Sequence, residues 1–484
     1  MGKSVKRNYF FSVAYQVLTI LTPLITTPYV SRVLAPEGIG AVSYTHSIVS
    51  YVISIGMLGI SAYASRQIAF FQNDREKQSH FFSEVLSLKL LLLFPMLAVY
   101  IFLMALLGTY KTLFLIQTGY LIADVITIDW LFTGNEEFET TVKRNVIVKI
   151  TSVLLIFGLV KDTDDLLLYA IILMGAQLIG VLLLWPSRKK YVNGLCFTLK
   201  NAGKHIKGAF AIFSVQIAGS VYLYLDKTMI GLLSGDIAEN GYYEQAQKIV
   251  RLSITIITSL STVMLPRIAN AYEEKDYEAI NRYMCSSLKF TIFMGIPMML
   301  GLVACSDNVV PWFLGEEFGR CIILLKIFAP IILLNSIYNV IGYQYLLAIR
   351  QEKTVTVCVW IGAVFNIILN FVLIPRYASV GATIASTMAE FIVALTMVIY
   401  VYRRLSLASL RGYVLKCICG SGVMFVIVRK LSMYLEAGVV QTALLVIVGC
   451  FVYLVAMQLF GEDFITVQIK NIIKKIRKHS EEKF

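Results

Sequence analysis

Fourteen mostly apolar runs dominate this chain, and they constrain its fold more than anything else in it. They lie near residues 9–30, 40–63, 83–107, 111–131, 145–160, 166–185, 208–234, 242–265, 284–304, 320–348, 354–374, 380–402, 412–432 and 438–459. A helix crossing ~30 Å of hydrocarbon needs ~20 such residues. The connections between runs are mostly short and leave no room for a soluble domain. Of the 484 residues, 58% are hydrophobic and 15% charged, with a mean hydropathy of +0.74. Soluble domains run nearer 45–50% apolar and about 25% charged, so a soluble multi-domain enzyme is excluded. The expected fold is an all-α polytopic membrane protein with about fourteen transmembrane helices. The first run follows Lys3, Lys6 and Arg7. It is too long for a signal-peptide core, and no small-residue cleavage site precedes Pro28, so it is expected to stay as the first span.

The net charge is +13, from 43 Lys+Arg against 30 Asp+Glu. In a soluble chain this would suggest nucleic acid as a partner. Here the distribution excludes that reading. With a cytoplasmic N-terminus, inside loops and tails hold 28 Lys/Arg, outside loops and outer span ends 7, and span interiors 8. That asymmetry orients both termini to the cytoplasm. The tail beyond residue 461 is basic; a short amphipathic helix on anionic lipid and a solvated tail are equally consistent with it. Eight cysteines show no CxxC and mostly lie in apolar runs. Cys305 and Cys321 flank an expected outside loop, but one such pair is no disulfide framework. His80, His205 and His479 are isolated, so no metal site is expected. There is no phosphate-binding G-x-x-x-x-G-K-[ST] loop and no catalytic constellation. No cofactor is expected, and the chain is expected to move something rather than transform it.

The chain also repeats. At an offset of 201 residues Gly40 falls on Gly241, Ile48 on Ile249, Val49 on Val250, Ile53 on Ile254, Ile55 on Ile256 and Arg66 on Arg267. Apolar matches are cheap in membrane helices; the Gly and Arg matches at fixed spacing are not. The first six spans and the next six therefore read as duplicated, co-oriented units related by an axis along the membrane normal. This gives an N-terminal lobe over 1–200, a C-terminal lobe over 201–405, two additional helices within 406–460, and the tail 461–484. A cavity between halves is the natural transporter architecture.

Ionisable side chains inside spans cost at least ~2.5–3.5 kcal/mol each, so each needs a reason. Lys89 and Lys149 lie near cytoplasmic ends and can snorkel or pair with Asp124 and Asp129. Glu390 and Lys416 are equally ambiguous. The seventh and eighth spans are more informative. Asp226 and Lys227 are adjacent, and Lys248 and Arg251 lie three apart, on one helix face. Glu244 precedes Lys248 by four residues. Arg32 ends the first span, and His46 in the second aligns with Gln247 at the 201-residue offset. Facing halves would bring Arg32, His46, Lys227, Lys248 and Arg251 to one depth as a cationic binding site. The alternative is local ion pairing without a ligand, Asp226 with Arg251 or Lys248 and Glu244 with Lys248. Even that leaves one cation over.

Several strings resemble one family. TPYVSRVLAPEGIGAVSY (27–44) and MLGISAYASRQIA (57–69) are similar to the first-to-second-span signature of Wzx-type polysaccharide repeat-unit flippases. LDKTMIGLLSGDIAENGYYEQAQKI (225–249), LPRIA (265–269) and FNIILNFVLIPRYASVGATIAS (365–386) continue the likeness, which runs from about residue 6 to about 405. Arg32, Gly38, Gly40, Arg66, Asp226, Gly241, Tyr243 and Pro266 match as fold markers. Ala35 stands where a glycine is more common, which touches only the turn geometry. The resemblance implies the multidrug/oligosaccharidyl-lipid/polysaccharide exporter fold, with two six-helix lobes related by a pseudo-two-fold. It also implies a bacterial plasma-membrane protein whose substrate is an undecaprenyl-diphosphate-linked oligosaccharide for capsule or another surface polysaccharide. Lys248 and Arg251 are then expected to hold the diphosphate, with Arg32 and Lys227 further along its path. Asp226 or Glu244 would couple a proton or sodium ion, unless the membrane potential alone suffices. The polymerase and glycosyltransferases are the protein partners in view. Flippases of teichoic-acid or peptidoglycan precursors fit the same chemistry. A multidrug extruder fits less well, because cationic drugs call for an acidic cavity.

Overall fold

The structure is a computed structural model, and it describes residues 2–402, 404–405 and 410–462. The 463–484 part of the basic tail lies outside the described residues. Among the described residues there are fifteen α-helices and no strand: α1 Gly2–Gly56, α2 Ile60–Phe70, α3 Arg75–Leu107, α4 Lys111–Ile126, α5 Asp129–Gly134, α6 Phe138–Leu159, α7 Leu166–Leu184, α8 Ala202–Leu233, α9 Ala238–Thr258, α10 Ser261–Glu273, α11 Tyr277–Phe313, α12 Arg320–Asn339, α13 Glu352–Val401, α14 Leu410–Ser432 and α15 Val439–Leu459. All fourteen apolar runs fall on helix, with short breaks at 57–59, 127–128 and 259–260. A π-helical turn, Val340–Leu346, extends α12. Among the described residues, eight helical runs are long and apolar enough to cross a bilayer, and a ninth if the bent pair α9–α10 counts as one span. The protein is a multi-pass helical membrane protein.

Two of those runs are far longer than a bilayer requires. Leu18–Gly56 has 39 residues and Glu352–Val401 has 50, against the ~20 that suffice at 1.5 Å rise per residue. Each is broken by one residue. Ala35 has φ 55° and ψ 174°, and Ala378 has φ 50° and ψ −126°. Pro36 follows Ala35 and disfavours the α conformation there, then starts the next helical stretch with its φ already set. At Ala378 the bend is pinned from outside. Glu239 accepts hydrogen bonds from the Ser379 N–H at 3.0 Å and from its hydroxyl, and pairs with Arg320 Nε at 2.7 Å.

The chain forms two compact units that do not follow the order of the sequence. The first comprises Met1–Ile249, Phe313–Leu324 and Thr356–Ala389; the second comprises Val250–Trp312, Leu325–Val355 and Glu390–Phe484. In the first unit, α2, α3 and α5 pack around Ile60, Phe82, Trp130 and Phe132. The C-terminal stretch of α1 meets α3 and α4 through Val49, Tyr100, Phe114 and Leu121. An extended segment runs along α3, where Ser79, Ser83 and Ser87 hydroxyls accept from the N–H groups of Asn193, Cys196 and Thr198. In the second unit Phe293, Met424, Leu445 and Tyr453 form a core between α11, α14 and α15. Cys305 and Cys321 are free buried thiols, and Cys321 donates to the Tyr242 carbonyl instead.

Within the first unit, α1 and α9 cross backbone to backbone at the 201-residue repeat. A Cβ on Gly40 would stand 2.0 Å from the Ile237 carbonyl oxygen, and one on Gly241 would stand 2.0 Å from the Pro36 carbonyl oxygen. Residues 36 and 237 are themselves one repeat apart. One turn on, Ser43 donates to Glu244 Oε2 at 2.9 Å, again across 201 residues. The two helices thus touch reciprocally, as elements about a local two-fold do.

Two predictions follow from the backbone. Gly40→Ala or Gly241→Ala should cost at least the ~1–3 kcal/mol typical of overpacking, seen as a lower thermal midpoint in detergent. Ala35→Gly should act oppositely and raise that midpoint, by relieving ~1–3 kcal/mol of left-handed strain.

Candidate functional site

A cavity of about 330 Å³ lies in the first unit where α1, α4, α7, α8 and α9 meet. From α1, Ser43 and His46 face it; from α8 and α9 come Lys227, Glu244 and Lys248. Glu244 sits between the two lysines. Its Oε2 lies 2.5 Å from Lys227 Nζ and its Oε1 lies 3.4 Å from Lys248 Nζ, while Ser43 donates a third contact. The helix periodicity explains the arrangement: 244 and 248 are one turn apart on α9, and the glycine crossing lets α9 approach α1 within hydrogen-bonding reach. One carboxylate against two ammonium groups leaves the cluster with a surplus positive charge. The Glu244 and Lys227 side chains are mostly buried, whereas Lys248 is 35% exposed. Lys248 is the ammonium best placed to reach a ligand.

The cavity thus brings together His46, Lys227, Lys248 and Glu244. It does not include Arg32 or Arg251. Arg251 is exposed on α9, one turn beyond Lys248, and Arg32 is exposed just before the Ala35 break. Asp226 takes a different place from either pairing expected for it, and among the described residues no ion pair reaches it. It is 2% exposed. Its Oδ1 accepts from Asn370 Nδ2 at 2.5 Å, and its Oδ2 accepts from the Tyr243 and Ser386 hydroxyls. Asn370 Nδ2 also reaches Asn366 Oδ1 at 3.1 Å. This is a buried carboxyl in a shell of neutral oxygen and amide groups, all within the first unit. Among the described residues no group of three or more His, Cys, Asp or Glu side chains is arranged to hold a metal ion.

The other span charges take partners outside this cavity, two of them ion pairs and three of them neutral groups. Arg144 pairs with Asp129 at 2.9 Å, Lys149 donates to Thr19, Lys89 to the Thr127 carbonyl, Lys416 pairs with Glu462, and Glu390 accepts from Asn335. Sequence reasoning missed the neutral part of the cavity wall, namely Gln117, Tyr120, Tyr169 and Tyr224. The chain has 27 tyrosines, so tyrosine in a span carries no positional signal by itself. A second, apolar groove of about 420 Å³ lies in the second unit between α11, α14 and α15, lined by residues such as Pro297, Met298, Val428 and Leu445.

Residues 5–272 match the family model for polysaccharide biosynthesis proteins. The chain belongs to this family. Residues 140–455 also match the model for the lipid II flippase MurJ. A putative O-antigen transporter of Shigella dysenteriae is 25% identical over 81% of this chain and 99% of its own length. One from Escherichia coli K12 is 22% identical over 82% and 97%. Among solved structures, a lipid II flippase MurJ in an inward closed conformation superposes with a TM-score of 0.76. It covers 95% of this chain and 99% of its own at 18% identity, which establishes a shared fold.

The shared carboxylate makes a specific prediction. Glu244→Ala strands two ammonium groups and should cost ~3–5 kcal/mol, the usual result of removing one partner from a buried pair. Adding Lys227→Met should recover part of that loss, and a double-mutant cycle on thermal stability in detergent measures the coupling.

Proposed function

We propose that this protein moves undecaprenyl-diphosphate-linked oligosaccharide repeat units from the inner to the outer leaflet of a bacterial plasma membrane, for capsule or another surface polysaccharide. The observation that carries the reading is the net-positive cavity around Lys227, Glu244 and Lys248 in a chain of the polysaccharide biosynthesis family. Its relatives among the putative O-antigen transporters point the same way. A headgroup of sugars and phosphates cannot cross hydrocarbon unaided, because its polar groups would lose their hydrogen bonds. Buried cations and a polar cavity wall supply what the hydrocarbon lacks.

The roles divide as follows. Lys248 and Arg251, one turn apart on α9, hold the diphosphate, and Lys227 and Arg32 meet the charge elsewhere on its path. His46 contributes a polar wall. An Arg fork binds phosphate oxygens two at a time, whereas Lys acts as a mobile point charge. The apolar groove between α11, α14 and α15 suits the prenyl chain. The lobes 1–200 and 201–405 alternate access, with the Gly40–Gly241 crossing as the seal that parts. Both termini face the cytoplasm, and the product passes to a polymerase. An inside-negative potential favours outward movement of an anion by about 2.3 kcal/mol per charge per 100 mV. Asp226, in its neutral shell, is the candidate coupling group for a proton or small cation, with Glu244 the lesser one because its lysines already neutralise it. The match to the MurJ model keeps a peptidoglycan-precursor flippase as the second reading.

The test is flipping of lipid-linked oligosaccharide in proteoliposomes. Lys248→Ala/Arg251→Ala should lower it at least about ten-fold, since a charged hydrogen bond is worth ~1.5–3 kcal/mol. Flipping at the wild-type rate would remove the diphosphate from these residues. Asp226→Asn should spare binding and abolish any dependence on an imposed ion gradient.

A further inference from the structure

Residues 185–201 join α7 to α8, and the run is fastened at both ends and along α3. At one end Arg75 Nη2 donates to the Lys189 carbonyl at 2.5 Å, and Glu137 accepts from Lys190 Nζ at 2.9 Å and from the Tyr191 hydroxyl. At the other, Glu84 accepts from Asn201 Nδ2 at 2.5 Å and meets His205 Nε2 at 2.8 Å. Between them lie the buried hydroxyls of Ser79, Ser83 and Ser87. Four helical residues rise ~6.0 Å and two extended residues ~6.6 Å. Ser83 and Ser87 therefore match Cys196 and Thr198, whose N–H groups reach them at 3.3 and 3.0 Å. Three residues separate Asn193 from Cys196 against the same helical rise from Ser79 to Ser83. Gly194 takes up the extra one with a φ of 70°. A backbone in water needs no such ladder, whereas one kept out of water does.

The side chains of the same run are unlike those of a loop in water. Leu195, Phe197 and Leu199 alternate, so they share one face of the extended backbone, and they are 43%, 70% and 37% exposed. Single exposed apolar residues are ordinary, whereas three on one face call for something to cover them. The place on α3 says what that is. This helix has 33 residues, about 13 more than a bilayer needs. Residues 88–107 make up its apolar length, and the three serines stand on the turns before it. The run therefore lies where hydrocarbon gives way to headgroups. Around it, residues 186–207 hold Arg188, Lys189, Lys190, Lys200, Lys204 and Lys207 and neither Asp nor Glu. An apolar face in a basic frame fits an anionic lipid surface. A second copy of the chain would bring the same positive charges against themselves.

We infer that residues 193–199 are an interfacial anchor for anionic lipid. The serine ladder holds the extended backbone against α3, Leu195, Phe197 and Leu199 enter the boundary between headgroups and acyl chains, and the flanking basic residues meet the lipid phosphates. The run contains the junction between the two stretches proposed as lobes, so the anchor ties that junction to the membrane surface. The inference is independent of the transport reading, and no flipping assay enters its test.

The test uses the full chain in proteoliposomes of phosphatidylcholine, with or without phosphatidylglycerol. Photoreactive p-benzoylphenylalanine replaces Phe197 or, as a control, Glu76, which is exposed in the first turn of α3. An interfacial face sits ~5–10 Å deep, so position 197 should give at least about ten-fold more lipid adducts than position 76. Its adducts should be several-fold more frequent with phosphatidylglycerol than without. Ser79→Ala/Ser83→Ala/Ser87→Ala removes the acceptors and should quicken amide exchange at 193–198 about ten-fold. Leu195→Ser/Phe197→Ser/Leu199→Ser keeps the ladder and changes only exposed side chains. With phosphatidylglycerol present it should raise the same exchange to the wild-type rate in phosphatidylcholine alone. Lipid adducts at 197 no more frequent than at 76, or indifferent to phosphatidylglycerol, overturn the anchor. A cross-link from 197 to a second copy makes the face a self-association surface and overturns it too. Unchanged exchange in a folded variant also overturns it, and the second variant decides where the first does not fold.

Discussion

A bilayer interior offers no water to an N–H, a C=O or a charge, and most of this structure follows from that fact. Backbone groups must be paired inside each segment, so the described chain is helix after helix. Charges must be matched where they stand, so Asp129 lies against Arg144 and Glu244 lies against two lysines. The exception is informative because the same rule makes it expensive. A cation surplus in the α1–α9 cavity persists only if something polar comes to meet it.

Close approach of backbones is the second theme. Two glycines at equivalent points of the repeat let α1 and α9 touch without side chains between them. That contact brings Ser43 to Glu244, and Glu244 in turn fixes the positions of Lys227 and Lys248. The electrostatic character of the cavity therefore depends on two residues that have no side chain. The Ala35 break stands next to Pro36, whose carbonyl oxygen is the group that Gly241 meets.

Much of this was legible in the sequence. Hydrophobic length put the apolar runs on helix, because hydrocarbon thickness sets a ruler that side-chain detail cannot alter, but it did not show that α1 and α13 each join two runs or that α2 and α10 extend past theirs. The 201-residue offset singled out Gly40 and Gly241, and the structure brings them into contact. The charge pattern named Lys227, Glu244 and Lys248 together. It did not show that Glu244 holds both lysines, since periodicity links 244 to 248 but says nothing about a neighbouring helix. Asp226 was open to pairing with Lys248 or Arg251 on spacing, yet it turns toward Tyr243, Asn370 and Ser386. Two of those lie on α13, more than 140 residues away. Helix rotation and long-range packing decide such contacts, and neither leaves a periodic trace. The tyrosine wall was hidden for a related reason, since a ring facing a cavity and a ring facing a neighbour look alike in one chain.

The reciprocal glycine crossing has a further consequence for descent. After a gene segment doubles, its two copies are ordinarily free to drift apart. Here each copy of the glycine is pressed against the other copy's chain, so neither can acquire a side chain on its own. One turn away the same closeness works in reverse. Ser43 and Glu244 occupy matching places in the two copies and touch; two glutamates there would repel, and two serines would leave the lysines without a counter-charge. The seam therefore holds one pair of sites identical and keeps the adjacent pair different.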